Sequence, residues 1–365
     1  MSNWTDTRHQ RVLAGAASAE APPAAGDDAA AGDDAVAPPV RRLLEEHLDG
    51  RTPTSPISTQ TIKKGVHRLT FQTGGTTHSV IIKRLAPDVA YRNQVLITRW
   101  LPAVGLEDSG PILLGWAAEI NGERVWHMYE DLGELSLDTR APQRAELEES
   151  VRLIAALHSR FADHALLGEC RLWGGDLGIS FYHSNAADAI RALQAIDTDP
   201  LQPEHRAAFR TLRHTLRLML DDEGRRASLL AEYGGPETLL HGDLWRQNIL
   251  LCSTHGDVVR PRLIDWDHVG VGQVGYDLST LLSRFPRDER HEVVELYRRE
   301  QSTNGWRLPD DAILSQLFDT AERARVANRV IWPAIEVRHG DHVEWALDHL
   351  IELSQWFDRI EPVLS

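Results

Sequence analysis

At 365 residues with 42% hydrophobic side chains, the chain holds enough apolar material for two lobes or domains. Its net charge of −15 argues against a nucleic-acid partner, whose phosphates it would repel, and suits a cationic ligand, although acidity also serves solubility alone. No run approaches the roughly 18 consecutive apolar residues of a membrane span, no leader is expected, and Cys170 and Cys252 form neither a disulfide framework nor a metal-ligand spacing, so a cytoplasmic, membrane-free protein is expected.

Residues 1–40 read as a disordered tail. Ala14 to Pro39 is mostly Ala, Pro, Gly and Asp, too poor in large apolar side chains to offset the entropy of ordering. Six acids and two arginines fall in these forty residues, which leaves −11 for the rest, so the folded part is acidic too.

From Thr59 the texture becomes strand-like. Gln60–Lys63, His67–Gln72 and His78–Lys83 are β-branched and aromatic runs, and Thr73-Gly74-Gly75-Thr76 joins the last two as a hairpin. Ala90–Leu101 reads as a helix. Ile112–Trp116 and Val125–Tyr129 read as strands around the turn Asn121-Gly122. After Gly133 the chain turns helical. Gln143–Phe161 carries Leu147, Val151, Ile154 and Leu157 at helical spacing, and Asn185–Ile196 and Glu204–Glu232 follow. Gly234-Gly235-Pro236 breaks the pattern. Two short apolar segments, Ile249–Cys252 and Arg262–Trp266, flank a polar turn at His255–Asp257, and from Tyr276 the chain is mostly helix, ending with Asp341–Ile360. The expected fold class is α+β: a small antiparallel-sheet lobe with one helix over 41–132, and a larger, mainly helical lobe over 133–365, with a ligand site between them.

The chemistry-bearing stretch is His241-Gly242-Asp243-Leu244-Trp245-Arg246-Gln247-Asn248, framed by apolar runs. An Asp five residues before an Asn supplies in one loop what phosphoryl transfer needs: a carboxylate to orient an acceptor hydroxyl and take its proton, and an amide oxygen to help hold magnesium. Ile264-Asp265-Trp266-Asp267 follows, with a carboxylate ending an apolar strand, placed to bridge metal to phosphates. A lone Asp is usually a cap or turn residue, but here three such groups occur in order beside strand-like runs.

This two-part motif resembles that of the aminoglycoside phosphotransferase and choline kinase group, of protein kinase-like fold, and its Asp-Leu-Trp variant is similar to that of fructosamine kinases. The resemblance spans Thr59 to the C-terminus and is specific to the superfamily, not to a substrate. It implies that Asp243 is the catalytic base, that Asn248 and Asp265 are magnesium ligands, that His241 braces the loop, and that Asp277 supports it. Asp267 either lines the site or is an exposed turn carboxylate. Lys83, closing Val80-Ile81-Ile82, is the expected phosphate-binding lysine. Gly65, in Lys63-Lys64-Gly65, stands in a reduced glycine loop. The backbone of Met128, Tyr129, Glu130 and Asp131 is expected to meet the base of ATP, with GTP left open. The family's usual helix Glu opposite the lysine is missing: no Glu occurs from Arg84 to Leu106, and Gln94 stands near its place as a hydrogen-bonding substitute.

Asp341, Glu344, Asp348 and Glu352 share one face at helical spacing, with Trp345 nearby; this is either an acceptor-binding surface for an amino-sugar or other polycation, or a solvated face. Three functions follow. The leading one is transfer of the ATP γ-phosphate to a hydroxyl of a small molecule such as an aminoglycoside, in resistance or biosynthesis. The second is phosphorylation of Ser or Thr in a ribosomal peptide, and the third a nucleotide-binding pseudokinase scaffold. Monomer and dimer are both compatible with the sequence.

Overall fold

A computed structural model describes residues 37–48, 53, 55, 57–253, 259–302 and 306–364. The tail expected over 1–40 lies outside them except at its end, and so does the turn at His255–Asp257. The described residues of 37–175 and 241–270 form one compact unit, and those of 176–240 and 271–364 another. The lobe boundary expected at 132/133 falls inside the first of these.

The first unit opens with a helix that the sequence reading did not assign, α1 (Pro38–His47). Two prolines sit at its start, where their missing N–H groups cost nothing, and Val40, Leu43 and Leu44 form its buried stripe. The strands β1 (Ser58–Lys63), β2 (Val66–Thr73), β3 (Thr76–Leu85), β4 (Leu113–Ala118) and β5 (Val125–Glu130) form one antiparallel sheet of order β1-β2-β3-β5-β4. Gly74 and Gly75, at φ 56° and 83°, make the tight β2–β3 turn that only left-handed residues allow. Strand alternation divides the sheet's faces. Leu69, Phe71, Val80, Ile82, Ala117, Trp126 and Met128 pack against α1, while Lys83 points to the other face, paired in register with His127.

Helix α2 runs from Pro87 to Val95 and continues through a π-turn, Leu96–Trp100, to Ala103, three residues earlier and two later than expected. It packs against β5 and against the short 3-10 turn Trp266–His268. Helix α3 (Arg144–Phe161) starts at a capping box in which Gln143 and Glu146 satisfy each other's backbone N–H groups. Helix α4 (Leu167–Gly174) ends this part of the unit. The returning segment adds the hairpin β7 (Ile249–Ser253) and β8 (Val259–Leu263). Of the apolar segment Arg262–Trp266, only Arg262 and Leu263 lie in the strand. Asp265 adopts a left-handed conformation, φ 65° and ψ 56°, which ends the strand and starts the turn.

The second unit holds α5 (Ile179–Gln194), α6 (Pro203–Asp221), α7 (Glu223–Tyr233), α8 (Gly275–Leu282), α9 (Arg287–Ser302), α10 (Asp311–His339) and α11 (Val343–Asp358), with a two-stranded pair of β6 (Thr238–Leu240) and β9 (Gly270–Gly272). Its core joins Tyr182, Ile190 and Leu193 of α5, Phe209, Leu212 and Leu216 of α6, Ala327 and Val330 of α10, and Leu350, Leu353 and Trp356 of α11. The single helix expected over Glu204–Glu232 is two. They part at Asp222, whose carboxylate accepts from Arg225 Nε at 2.7 Å and Arg226 Nε at 2.9 Å. The helix expected from Asn185 begins six residues earlier, at Ile179. Among the described residues, no helix is long and apolar enough to cross a membrane.

Candidate active site

The loop from His241 to Asn248 is held by short-range bonds of its own and by bonds from His241 and Arg246 to distant segments. His241 is fully buried and tilts over Trp266, ring centroids 4.4 Å apart. Its Nε2 donates to the Ile264 carbonyl at 2.9 Å, while Nδ1 accepts from the Asp243 backbone N–H at 3.3 Å. One imidazole thus ties the loop to the residue before Asp265. Gly242 has φ 81°, and a Cβ there would lie 1.8 Å from the His268 carbonyl oxygen, so the close approach demands glycine.

Asn248 is 4% exposed, and its Nδ2 donates to the Asp243 carbonyl at 2.9 Å and to Asp243 Oδ2 at 3.3 Å. The amide nitrogen is therefore committed to Asp243, which leaves the amide oxygen as the group's remaining acceptor. The Trp245 indole donates to Asp243 Oδ1. Burial pushes the Asp243 carboxyl above its ordinary pKa, and the nearby Asp265 charge adds to this against the opposing pull of His268, His241 and the indole hydrogen bond.

Asp265 gathers two lysines. Lys63 Nζ donates to its Oδ2 at 2.7 Å, and Lys83 Nζ donates to its Oδ1. Burial alone would raise the Asp265 pKa, but Lys83 and Lys63 outweigh it and hold the carboxyl well below the usual range. Lys83 Nζ also donates to Asp267 Oδ1 at 2.7 Å. Burial works against the Lys83 charge, yet the two carboxylates keep its pKa above the ordinary value. Asp267 therefore lines the site, and it receives a second bond from Asn93 Nδ2 of α2 at 3.0 Å. Gln94 is half-buried, and the bond from α2 into this cluster comes from Asn93, one residue earlier.

The remaining candidates divide between the units. Gly65 turns the β1–β2 hairpin at φ 71°, and its carbonyl accepts from the Arg84 N–H at 2.8 Å. Met128 belongs to the core under α1. The Tyr129 hydroxyl and His127 Nδ1 lie 2.8 Å apart. Glu130 accepts from Arg262 at 3.1 Å and from the Ile112 N–H at 2.8 Å. Asp131 accepts from Arg68 Nε at 2.6 Å and Ser79 at 2.5 Å. Met128, Tyr129 and Glu130 lie in β5 between β3 and β4, and the Glu130 N–H donates to the Ile112 carbonyl at 3.0 Å, while Asp131 follows the strand's end. Asp277 is fully buried in the first turn of α8, in the helical unit. Asp341, Glu344, Trp345 and Asp348 are exposed at and along α11, with Trp345 stacked on His349 at 5.3 Å.

Sequence reasoning did not identify Asn93 and Trp245 as site residues, and left Lys63 open between added charge by the glycine loop and an exposed side chain. Trp245 had a signal, an indole two residues after the Asp. Asn93 and Lys63 had none, because their partners lie 174 and 202 positions away.

The arrangement offers one half-buried base candidate, hard oxygen donors and clustered ammonium groups, a set suited to transferring a phosphoryl group. Comparison with known proteins agrees. Among solved structures, the aminoglycoside phosphotransferase APH(3'')-Id from Streptomyces rimosus, in complex with ADP and streptomycin, is 19% identical over 82% of this chain and 99% of that one, with a TM-score of 0.51. APH(2")-IIia in its GDP and kanamycin complex is 13% identical over 87% and 97%, TM-score 0.56. Ethanolamine kinase of Plasmodium vivax is 11% identical over 83% and 82%, TM-score 0.54. These likenesses carry the protein kinase-like fold. Among curated protein sequences none matches. The model of the phosphotransferase enzyme family matches residues 58–311, from β1 to the start of α10 and through every residue of the Asp243 loop and the Lys83 strand. The chain belongs to the phosphotransferase enzyme family.

Proposed function

We infer that the protein is a magnesium-dependent kinase of small molecules, moving the γ-phosphate of ATP to an acceptor hydroxyl. The observation that carries this reading is the pairing of Asp243 with Asn248 in one loop, beside an Asp265 carboxylate held by Lys63 and Lys83.

Asp243 orients the acceptor hydroxyl and takes its proton. Its raised pKa brings its proton affinity toward the working pH, as a general base requires. The Asn248 amide oxygen and the Asp265 carboxylate are hard donors of the kind magnesium accepts when phosphates complete its shell. These two groups would be the protein's contribution to the ion's shell. The ion, when bound, would neutralise charge on the phosphoryl oxygens. Lys83 and Lys63 would exchange part of their bonding to Asp265 for phosphate oxygens. Gly65 would let the hairpin backbone approach them, and of the stretch Met128–Asp131 the backbone at its end, where β5 stops, would take the base.

The acceptor we favour is a cationic hydroxyl compound, suited to the exposed acids Asp341, Glu344 and Asp348 with Trp345. Related structures hold streptomycin and kanamycin, which puts aminoglycosides first among acceptors to try. The test is transfer of label from γ-labelled ATP with magnesium across aminoglycosides, amino-sugars, neutral sugars and Ser/Thr peptides. Label on a small molecule is expected. Label on peptides alone, or on nothing in the panel, contradicts the reading.

A further inference from the structure

The buried ammonium of Lys83 needs a lasting counter-charge. Its side chain is 14% exposed, beside Asp265 at 19% and Asp267 at 26%, so an unpaired charge here would be costly. Helix α2, which packs alongside, carries its one acid, Asp88, exposed in its first turn. Asp265 already serves two lysines, and in the reading above it also faces the metal. That leaves Asp267. Its Oδ1 accepts from Lys83 at 2.7 Å and from Asn93 at 3.0 Å, and the same Asn93 Nδ2 donates to the Val89 carbonyl at 3.0 Å. Asn93 is 3% exposed, so this amide is fixed between the helix backbone and the carboxylate.

We propose that Asp267, held by Asn93, is the positioning residue that keeps Lys83 aimed at the phosphates of the nucleotide, so that α2 acts on the lysine through a neutral amide and a turn carboxylate instead of a carboxylate of its own. The left-handed Asp265 and the 3-10 turn after it are what make this geometry available: they turn the chain so that residues two apart, Asp265 and Asp267, both reach one ammonium. The carboxylates then divide their work. Asp265 would be free to hold the metal while Asp267 stays with Lys83. A chain of contacts runs from the α2 backbone through Asn93 and Asp267 to the β3 lysine, which couples the helix's position to nucleotide affinity.

This rests on the kinase reading, and the experiment separates the two. Mg-ATP binding is measured by calorimetry on the full chain for the wild type, Asp267→Asn, Asn93→Asp and the double variant carrying both, with thermal unfolding of the nucleotide-free proteins alongside. The double variant exchanges amide and carboxylate while preserving net charge and one bond between the two positions. Asp267→Asn is expected to weaken Mg-ATP binding roughly tenfold. Asn93→Asp alone sets two carboxylates together and is also expected to weaken it. The double variant is expected to recover most of the loss, in a protein that melts near the wild type. A merely structural Asp267 would lower the melting temperature and leave the affinity of the folded fraction unchanged, which overturns the inference. So do Asp267→Asn binding as the wild type does, and a double variant whose losses simply add. If the wild type itself fails to bind Mg-ATP, the kinase reading falls and this inference with it.

Discussion

At the scale of single residues, the account turns on the environment of Asp243. Its carboxyl is pushed up by burial, so a base at this position loses activity as the pH falls through a value above that of an ordinary aspartate. The Trp245 indole opposes that shift by bonding the ionised form. In Trp245→Phe the acid limb of the pH-rate profile should therefore move to higher pH; a limb that stays in place or moves down would contradict the assignment. Gly242 gives a second test. Its left-handed backbone stands against the His268 carbonyl, and Gly242→Ala cannot be accommodated without moving the loop. Activity should fall at least roughly a hundredfold, by the general rule that misplacing reacting groups by about 1 Å costs that much. The sequence disclosed this loop well because the bonds that join Asp243 to His241, Trp245 and Asn248 span at most five positions. It disclosed the surroundings of Lys83 poorly, because those bonds cross more than 170 positions. Gln94 was expected to bond the ammonium; the α2 side chain that reaches the cluster is Asn93, and it bonds Asp267. One residue along a helix is a rotation of about 100°, enough to turn a side chain from the site to its flank.

At the scale of elements, the strands and the hairpin glycines were readable from alternation and turn chemistry, and their observed ends lie within a few residues of expectation. Helix α1 was missed. It follows an Ala/Pro-rich stretch, and its ten residues carry only a three-residue apolar stripe. The signal was present in Pro38-Pro39 followed by Val40, Leu43 and Leu44 at helical spacing. This helix covers the sheet face opposite Lys83, so it acts on stability and not on chemistry. Leu44→Ala should cost about 2–5 kcal/mol, the range for a truncated buried leucine, seen as a lower urea midpoint. The folded variant should keep the wild-type affinity for Mg-ATP. A changed affinity with unchanged stability would mean that α1 serves the site directly.

At the scale of the whole molecule, the fold class and the family were legible because they depend on element order and on one local motif. The acceptor is a different matter. Asp341, Glu344 and Asp348 lie exposed on the helical unit, and the same acids at the same spacing would serve equally well as a solvated face, so the pattern carries no geometry of a bound compound. The central claim, that Asp243 is the base of a phosphotransferase, does not depend on the acceptor's identity. It is tested most directly by Asp243→Asn, a near-isosteric change that keeps a side chain able to bond Asn248 and Trp245 but removes proton acceptance. The account predicts that this variant binds Mg-ATP with wild-type affinity and transfers phosphate to the acceptor roughly a hundred to ten thousand times more slowly. Transfer at the wild-type rate with binding intact would contradict it.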